Sequence, residues 1–203
     1  PFDRNHPGRP WASPSHGLQS ATGEEMVAAM NSVGVDGAIM VSSFSAYEYD
    51  PSYALEVYNT YPDKFRVVTP VDATNPAIDD LVAKWAATPG ARGIRIRMRD
   101  GLPMDADHPG LNRAFAAAAR HGLPVNLLCW GILDKGLPHI QRHRDTVIVS
   151  TISAYCSLLA RRSRLPDDVR DDRQPVALVL VAGVGAGDRH VGVPGEQLVE
   201  RRE

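Results

Sequence analysis

The chain has 203 residues, a net charge of −2 and a pI near 6.4. That balance excludes the basic excess needed to bind nucleic acid and the polybasic run attracted to a membrane surface. The longest apolar stretch, residues 176–187, is too short to span a bilayer. The length allows one core of ordinary size but falls short of the ~250 residues of a complete (β/α)8 barrel.

The chain opens at Pro1 with a Pro-rich segment that carries His6 and His16 and shows no signal-peptide pattern. Thr22-Gly-Glu-Glu25 is a capping box that starts a helix with Met26, Ala29, Met30 and Val33 on one face, ended by Gly34. Gly37–Ser43 is an apolar run of strand length. A helix follows over Pro51–Tyr61 with Pro51 in its first turn. A second strand covers Phe65–Asp72, a helix Pro76–Thr88, and a third strand Gly93–Met98. A helix over Pro109–His121 lines up Leu111, Phe115, Ala118 and Ala119. Pro124–Trp130 is the fourth strand, Leu137–His143 a shorter helix, and Thr146–Val149 the fifth strand. Strand and helix alternating at this spacing imply an α/β fold with parallel strands and right-handed crossovers. A doubly wound sheet and a barrel both satisfy the pattern. No Gly-x-Gly-x-x-Gly follows a strand, which weakens a dinucleotide-binding reading.

Residues 150–203 differ in character. They contain no Lys, Trp, Phe, Met or Asn, although residues 1–149 use all five types, and they carry eight Arg against eight acids. We expect two regions: an ordered one over 1–149, and an atypical tail over 150–203 that is out of frame or disordered. The one apolar run in the tail, Val176–Val181, could add a strand at an open sheet edge.

In parallel α/β folds, sites form where strands end. That places Ser42, Ser43, Asp72, Arg97, Arg99 and Trp130 together. Alternation puts Arg95 and Arg97 on one side of their strand and Ile94, Ile96 and Met98 on the other. Two inward arginines need anions. They either hold a substrate carboxylate through their planar forks or pair with Asp72 or another strand-end acid. The substrate-side candidates are Arg97, Arg95, Asp72, Asn126 and Trp130, and no catalytic residue is assigned. His139 and His143 share i, i+4 spacing, but Ile140 stands where a metalloprotease helix needs Glu, so an exposed helix face is expected. His108 is expected at a solvated helix entry. Cys129 and Cys156 set no disulfide framework, and Cys129 reads as a small apolar strand residue. We expect a cytoplasmic chain.

Asp3–Trp11, Gly34–Val41, Tyr61–Arg66, Arg92–Arg97 and Gly122–Gly131, in this order and spacing, resemble the amidohydrolase-2 family, relatives of aminocarboxymuconate-semialdehyde decarboxylase. The resemblance covers residues 1–149. It implies a partial (β/α)8 barrel of about five parallel strands with outer helices. In intact relatives it implies a zinc-type divalent metal, with metal-dependent hydrolysis or decarboxylation of a small carboxylated molecule. The ligands it implies are a His-x-His at the first strand, sometimes a His on the fifth, a His on the sixth and an Asp on the eighth. Here Leu128 takes the fifth-strand position, and Thr146–Val149 runs into Ser150 rather than into Asp-His-x-Gly. With G or C third bases, restoring one A ahead of the Ser150 codon makes residues 150–157 read Ile-Asp-His-Leu-Gly-Leu-Leu-Gln, the motif the family places there. The resemblance therefore implies a frameshifted chain without a metal site, no cofactor of its own and no activity. The alternative is a non-catalytic α/β binding or interaction module.

Overall fold

The computed structural model describes residues 1–13, 19–98, 101–129 and 132–150. Among these described residues, eleven elements follow in chain order: α1 (Gly23–Ser32), β1 (Ala38–Val41), α2 (Phe44–Tyr47), α3 (Ser52–Thr60), β2 (Phe65–Pro70), α4 (Ile78–Ala86), β3 (Ala91–Met98), α5 (Pro109–Arg120), β4 (Val125–Cys129), α6 (Leu133–Arg142) and β5 (Ile148–Ser150). The strands form one parallel sheet in the order β1-β2-β3-β4-β5. A doubly wound sheet reverses its order at a switch point, and this sheet does not. Sequential parallel order with helical crossovers is the wall of a barrel.

Local chemistry sets the boundaries. At α1 the capping box forms: the Glu25 N–H donates to Thr22 Oγ1, and the Thr22 N–H donates to the Glu25 carboxylate. The buried stripe runs through Gly23, Met26, Val27 and Met30. This corrects the expected face, because Ala29 points to solvent and Val33 is 72 % exposed at the C-cap. Pro51 is the N-cap of α3 and not a first-turn residue. β2 stops at Pro70, short of Asp72, because Asp72 closes a turn of its own: its Oδ1 accepts from the Thr74 N–H at 2.8 Å and hydroxyl at 2.6 Å. α6 starts at Leu133 and carries Pro138 inside it, which removes one helical donor.

The core gathers Ile94, Ile96 and Met98 of β3 with Ile78, Val82 and Trp85 of α4 and Leu111 and Phe115 of α5. Trp85 Nε1 donates to the Gly93 carbonyl at 2.9 Å, tying α4 to the sheet. α5 begins at Pro109, and Gly110 lies so close to the β2–α4 loop that a Cβ there would meet the Ala73 carbonyl oxygen at 1.8 Å. Gly122, beyond the end of α5, has φ +63, a conformation that glycine alone adopts without strain. Among the described residues, no helix is long and apolar enough to cross a membrane.

Candidate functional site

The site is built where β1, β2 and β3 end. Register sets Arg95 beside Asn126 of β4 and Pro70 of β2, and Arg97 beside Leu128. Arg95 and Arg97 are partly buried, and Ile94, Ile96 and Met98 between and around them are fully buried, as period-two alternation requires. Arg95 Nε donates to Asn126 Oδ1 at 2.7 Å. Among the described residues, no carboxylate pairs with Arg95, and Asp72 makes no ion pair with either arginine. Burial pushes the Arg95 guanidinium down to about 10, and the neighbouring Arg97 charge adds to the shift.

Arg97 lines a small, partly open hollow of about 10 Å³, room for about one water, with Tyr49, Asp72, Ala73, Leu102 and Leu111. Its guanidinium carbon lies 3.5 Å from the centroid of the Phe44 ring. Phe44 in turn meets Tyr49 edge-on, with centroids 5.1 Å apart and planes at 81°. Between them the backbone folds back at Glu48, whose φ of 50° and ψ of −114° are unusual for a non-glycine residue and carry strain. Burial and the Asp72 charge raise the Tyr49 hydroxyl above its ordinary value, and Arg97 acts against them.

The N-terminal segment holds α2 in place. The Ala12 N–H donates to the Ala46 carbonyl at 2.8 Å and the Ser13 N–H to the Ser45 carbonyl at 3.1 Å. The Asp3 N–H donates to the Tyr47 hydroxyl at 2.8 Å, and Trp11 Nε1 to the Asp3 carbonyl at 2.8 Å. His6 stays at the surface, 3.7 Å from Asp3.

The sheet thus brings Arg95, Arg97 and Asn126 together, with Asp72 on the cleft wall in a loop and not in a strand. Trp130, Arg99, His16 and Cys156 lie outside the described residues, as do the tail and its apolar run. Phe44 and Tyr49 were missed by sequence reasoning. Four helical residues show no periodicity, and only the aromatic spacing of Phe44, Tyr47 and Tyr49 marked the segment.

The two histidines of α6 correct an expectation. His139 is fully buried, and His143 is partly buried rather than lying on an exposed face. Both rings stack on Phe115, at centroid distances of 5.4 and 4.8 Å. His139 Nε2 bonds the Met104 carbonyl at 3.2 Å and His143 Nε2 bonds Asn112 Oδ1 at 2.8 Å. Burial lowers both from the ordinary histidine value, with the Arg142 charge adding to each. His108 is the N-cap of α5, its Nδ1 accepting from the Leu111 N–H at 3.2 Å.

Among the described residues, the donors at the strand ends do not fit a divalent cation. No group of three His, Cys, Asp or Glu side chains able to hold a metal occurs among the described residues. The strand ends offer Ser42, Asp72 and Cys129 together with two guanidinium groups, whose charge disfavours a cation.

The sequence profile described as Amidohydrolase matches residues 5–179, running past Val149 into the tail. No curated protein matches the chain. Among solved structures it is similar to a probable 2-pyrone-4,6-dicarboxylic acid hydrolase from Acinetobacter baumannii with citric acid bound, at 16 % identity and a TM-score of 0.59, covering 74 % of this chain and 57 % of that one. It is also similar to 5-carboxyvanillate decarboxylase from Sphingomonas paucimobilis, at 16 % identity and 0.54, covering 70 % and 56 %. The enzyme of that name from Novosphingobium aromaticivorans, complexed with manganese and 4-hydroxy-3-methoxy-5-nitrobenzoic acid, matches at 18 % identity and 0.53, covering 80 % and 59 %. At these identities the likeness establishes the fold, a partial (β/α)8 barrel. The chain spans less than three fifths of the length of each of these proteins.

Proposed function

The chain belongs to the amidohydrolase family, and from that footing we propose a carboxylate-binding site belonging to a hydrolase or decarboxylase of small ring carboxylates. The observation that carries the proposal is the pair Arg95 and Arg97. Two guanidinium groups lie side by side on one face of β3, and Arg95 meets an amide, not an acid. A buried cation without a counter-charge is costly, and Arg95, which has no carboxylate partner among the described residues, is the one an incoming carboxylate would balance. The ligands bound to two of these relatives, citric acid and a nitrobenzoic acid, are carboxylates. In this reading Arg97 takes the carboxylate at the cleft, Arg95 and Asn126 support it from deeper in the sheet, Asp72 lines the approach, and Trp130 is a substrate contact by its place in the sequence directly after β4.

The Novosphingobium enzyme holds manganese, and the described residues of this chain offer no group of three donors for such an ion. We infer that the chain as it stands binds but does not turn over, and that residues 150–203 are out of frame. Calorimetric titration with isophthalate tests the binding. Saturable binding is expected, weakened about 10- to 100-fold by Arg97→Gln, the range set by a charged hydrogen-bonded pair. Absence of saturable binding refutes the site. Measurable turnover of 5-carboxyvanillate or 2-pyrone-4,6-dicarboxylate refutes the inactivity. The coding sequence of an otherwise near-identical chain from a related source, continuing in frame with the present residues 150–203, refutes the frameshift.

A further inference from the structure

We propose that His139 latches residues 101–104 as a flap over the hollow at the end of β3, and that acid releases it. Leu102 and Pro103 of this segment line the hollow. The flap starts at Gly101, whose φ of +81 suits glycine alone and whose Cβ position has nothing within 4 Å. Its far end meets the fixed entry of α5. There the Asp107 N–H donates to Asp105 Oδ1 at 2.9 Å, the His108 N–H to the Asp105 carbonyl at 3.0 Å, and Asn112 Nδ2 to the Ala106 carbonyl at 3.1 Å. Between those ends, among the described residues, the hydrogen bond that ties the flap down runs from His139 Nε2 to the Met104 carbonyl at 3.2 Å. A carbonyl only accepts, so Nε2 carries the hydrogen and Nδ1 is bare. Nδ1 is buried, with no partner among the described residues. A second proton would leave a buried N–H there without an acceptor, and lifting the flap to admit water relieves it. The surrounding charges act on that proton from several elements. On α6, Arg142 opposes it and His143 is coupled to it; from the loop, Asp105 favours it, while Asp107 is paired with Arg142. α5 covers the ring with Phe115 and sends Arg113 and Arg120 to Asp79. β4 brings the Cys129 thiol and no Asp, Glu, Lys, Arg or His. The latch stands on this geometry, and only its consequence rests on the carboxylate reading: a hollow with room for about one water admits no ring, so a ring carboxylate enters when the flap lifts.

The test is NMR of the full chain carrying methyl-labelled methionine, with Met104 identified by Met104→Leu. Met104 packs against the core from the flap, whereas Met40 and Met98 are buried within it and serve as references. Each pH unit below the ordinary histidine value of 6.5 is expected to favour the released flap by up to about tenfold. Between pH 7.5 and 5 the Met104 methyl signal should therefore move with the same midpoint as the His139 ring, while Met40 and Met98 hold still. His139→Gln, which does not titrate, should fix the Met104 signal across the range, and His143→Gln should leave its response in place. An unmoved Met104 signal in the wild type overturns the latch. So does movement of all three methyls together, which is global unfolding, or a response kept in His139→Gln. If His139→Gln does not fold, the wild-type titration and His143→Gln decide: loss of the response in His143→Gln overturns the assignment to His139. The ligand arm uses isophthalate, whose association with the wild type should quicken as pH falls and should be independent of pH in His139→Gln. No isophthalate binding at any pH, with the Met104 response intact, supports the latch and overturns the carboxylate reading.

Discussion

Gly110→Ala sets two effects of opposite sign against each other. Alanine gains up to about 1 kcal/mol over glycine in a helix interior, and less in the first turn, where Gly110 lies. Against that gain, the new Cβ would lie 1.8 Å from the Ala73 carbonyl oxygen, whereas real contacts are no closer than 3.0 Å, so one partner must retreat by at least 1.2 Å, the difference of the two. Both partners are backbone, and a side-chain rotation relieves neither. Overpacking of this kind costs about 1–3 kcal/mol, and the retreat also strains the His108 cap, which is itself worth about 1 kcal/mol. The clash wins, and a net loss of about 2 kcal/mol is expected. In urea unfolding followed by circular dichroism this lowers the midpoint without changing the slope, and in thermal unfolding it lowers Tm by roughly 4–8 °C. Ala73 borders the cleft next to Asp72, so isophthalate binding should weaken as well. Gly122→Ala is the control: nothing lies within 4 Å of its Cβ, so only its φ of +63 opposes the change, at about 1–2 kcal/mol and with no effect on binding. A Gly110→Ala chain as stable as the wild type would show that the helix start is not held against the loop, and would refute the close approach.

Arg95→Met removes a buried cation that sits beside another cation, so its cost should lie within about 1 kcal/mol of zero while isophthalate binding falls; a loss of about 3–5 kcal/mol would reveal a buried ion pair instead. The α6 histidines should make stability depend on pH. Both are held below the ordinary value of 6.5 when folded, so the unfolded chain binds protons more readily. Their stabilising neutrality is complete above that value and is lost as pH falls below it. His139→Phe should flatten the slope of urea midpoint against pH between 7.5 and 5, and an unchanged slope would exclude His139 as its source. Elemental analysis of the purified chain is expected to find no stoichiometric manganese or zinc; about one tightly held ion per chain would contradict the donor set described above.

The strands were legible because β-branched runs stood between Gly and Pro, and the inward pair Arg95 and Arg97 was legible because a pleat has period two. What the sequence concealed were contacts between distant residues and local competition for hydrogen bonds. Asp72 continues the apolar run of β2 in sequence, yet its carboxylate serves the Thr74 turn instead. The burial of His139 was hidden because i, i+4 spacing names a helix face without naming what covers it, and the covering ring, Phe115, belongs to α5. The seat of Arg97 on Phe44 joins two elements whose relation appears only once β1 and β3 are folded around β2. Val33 continued the helical stripe in sequence, but it falls at the C-cap, where the helix no longer faces the core.

The sequential order of the sheet also bears on how the chain assembles. Among the described residues, each strand pairs with the strands before and after it in the chain, so none of these ladders waits for a distant segment to be synthesised. Each new strand and its crossover helix add to an edge already formed, much as a repeat adds to a solenoid. Such growth is tolerant of what comes next. A nascent chain that has formed β1 to β5 has already enclosed Phe65, Ile94, Phe115 and Leu127, so that core is laid down before the residues after Ser150 are added.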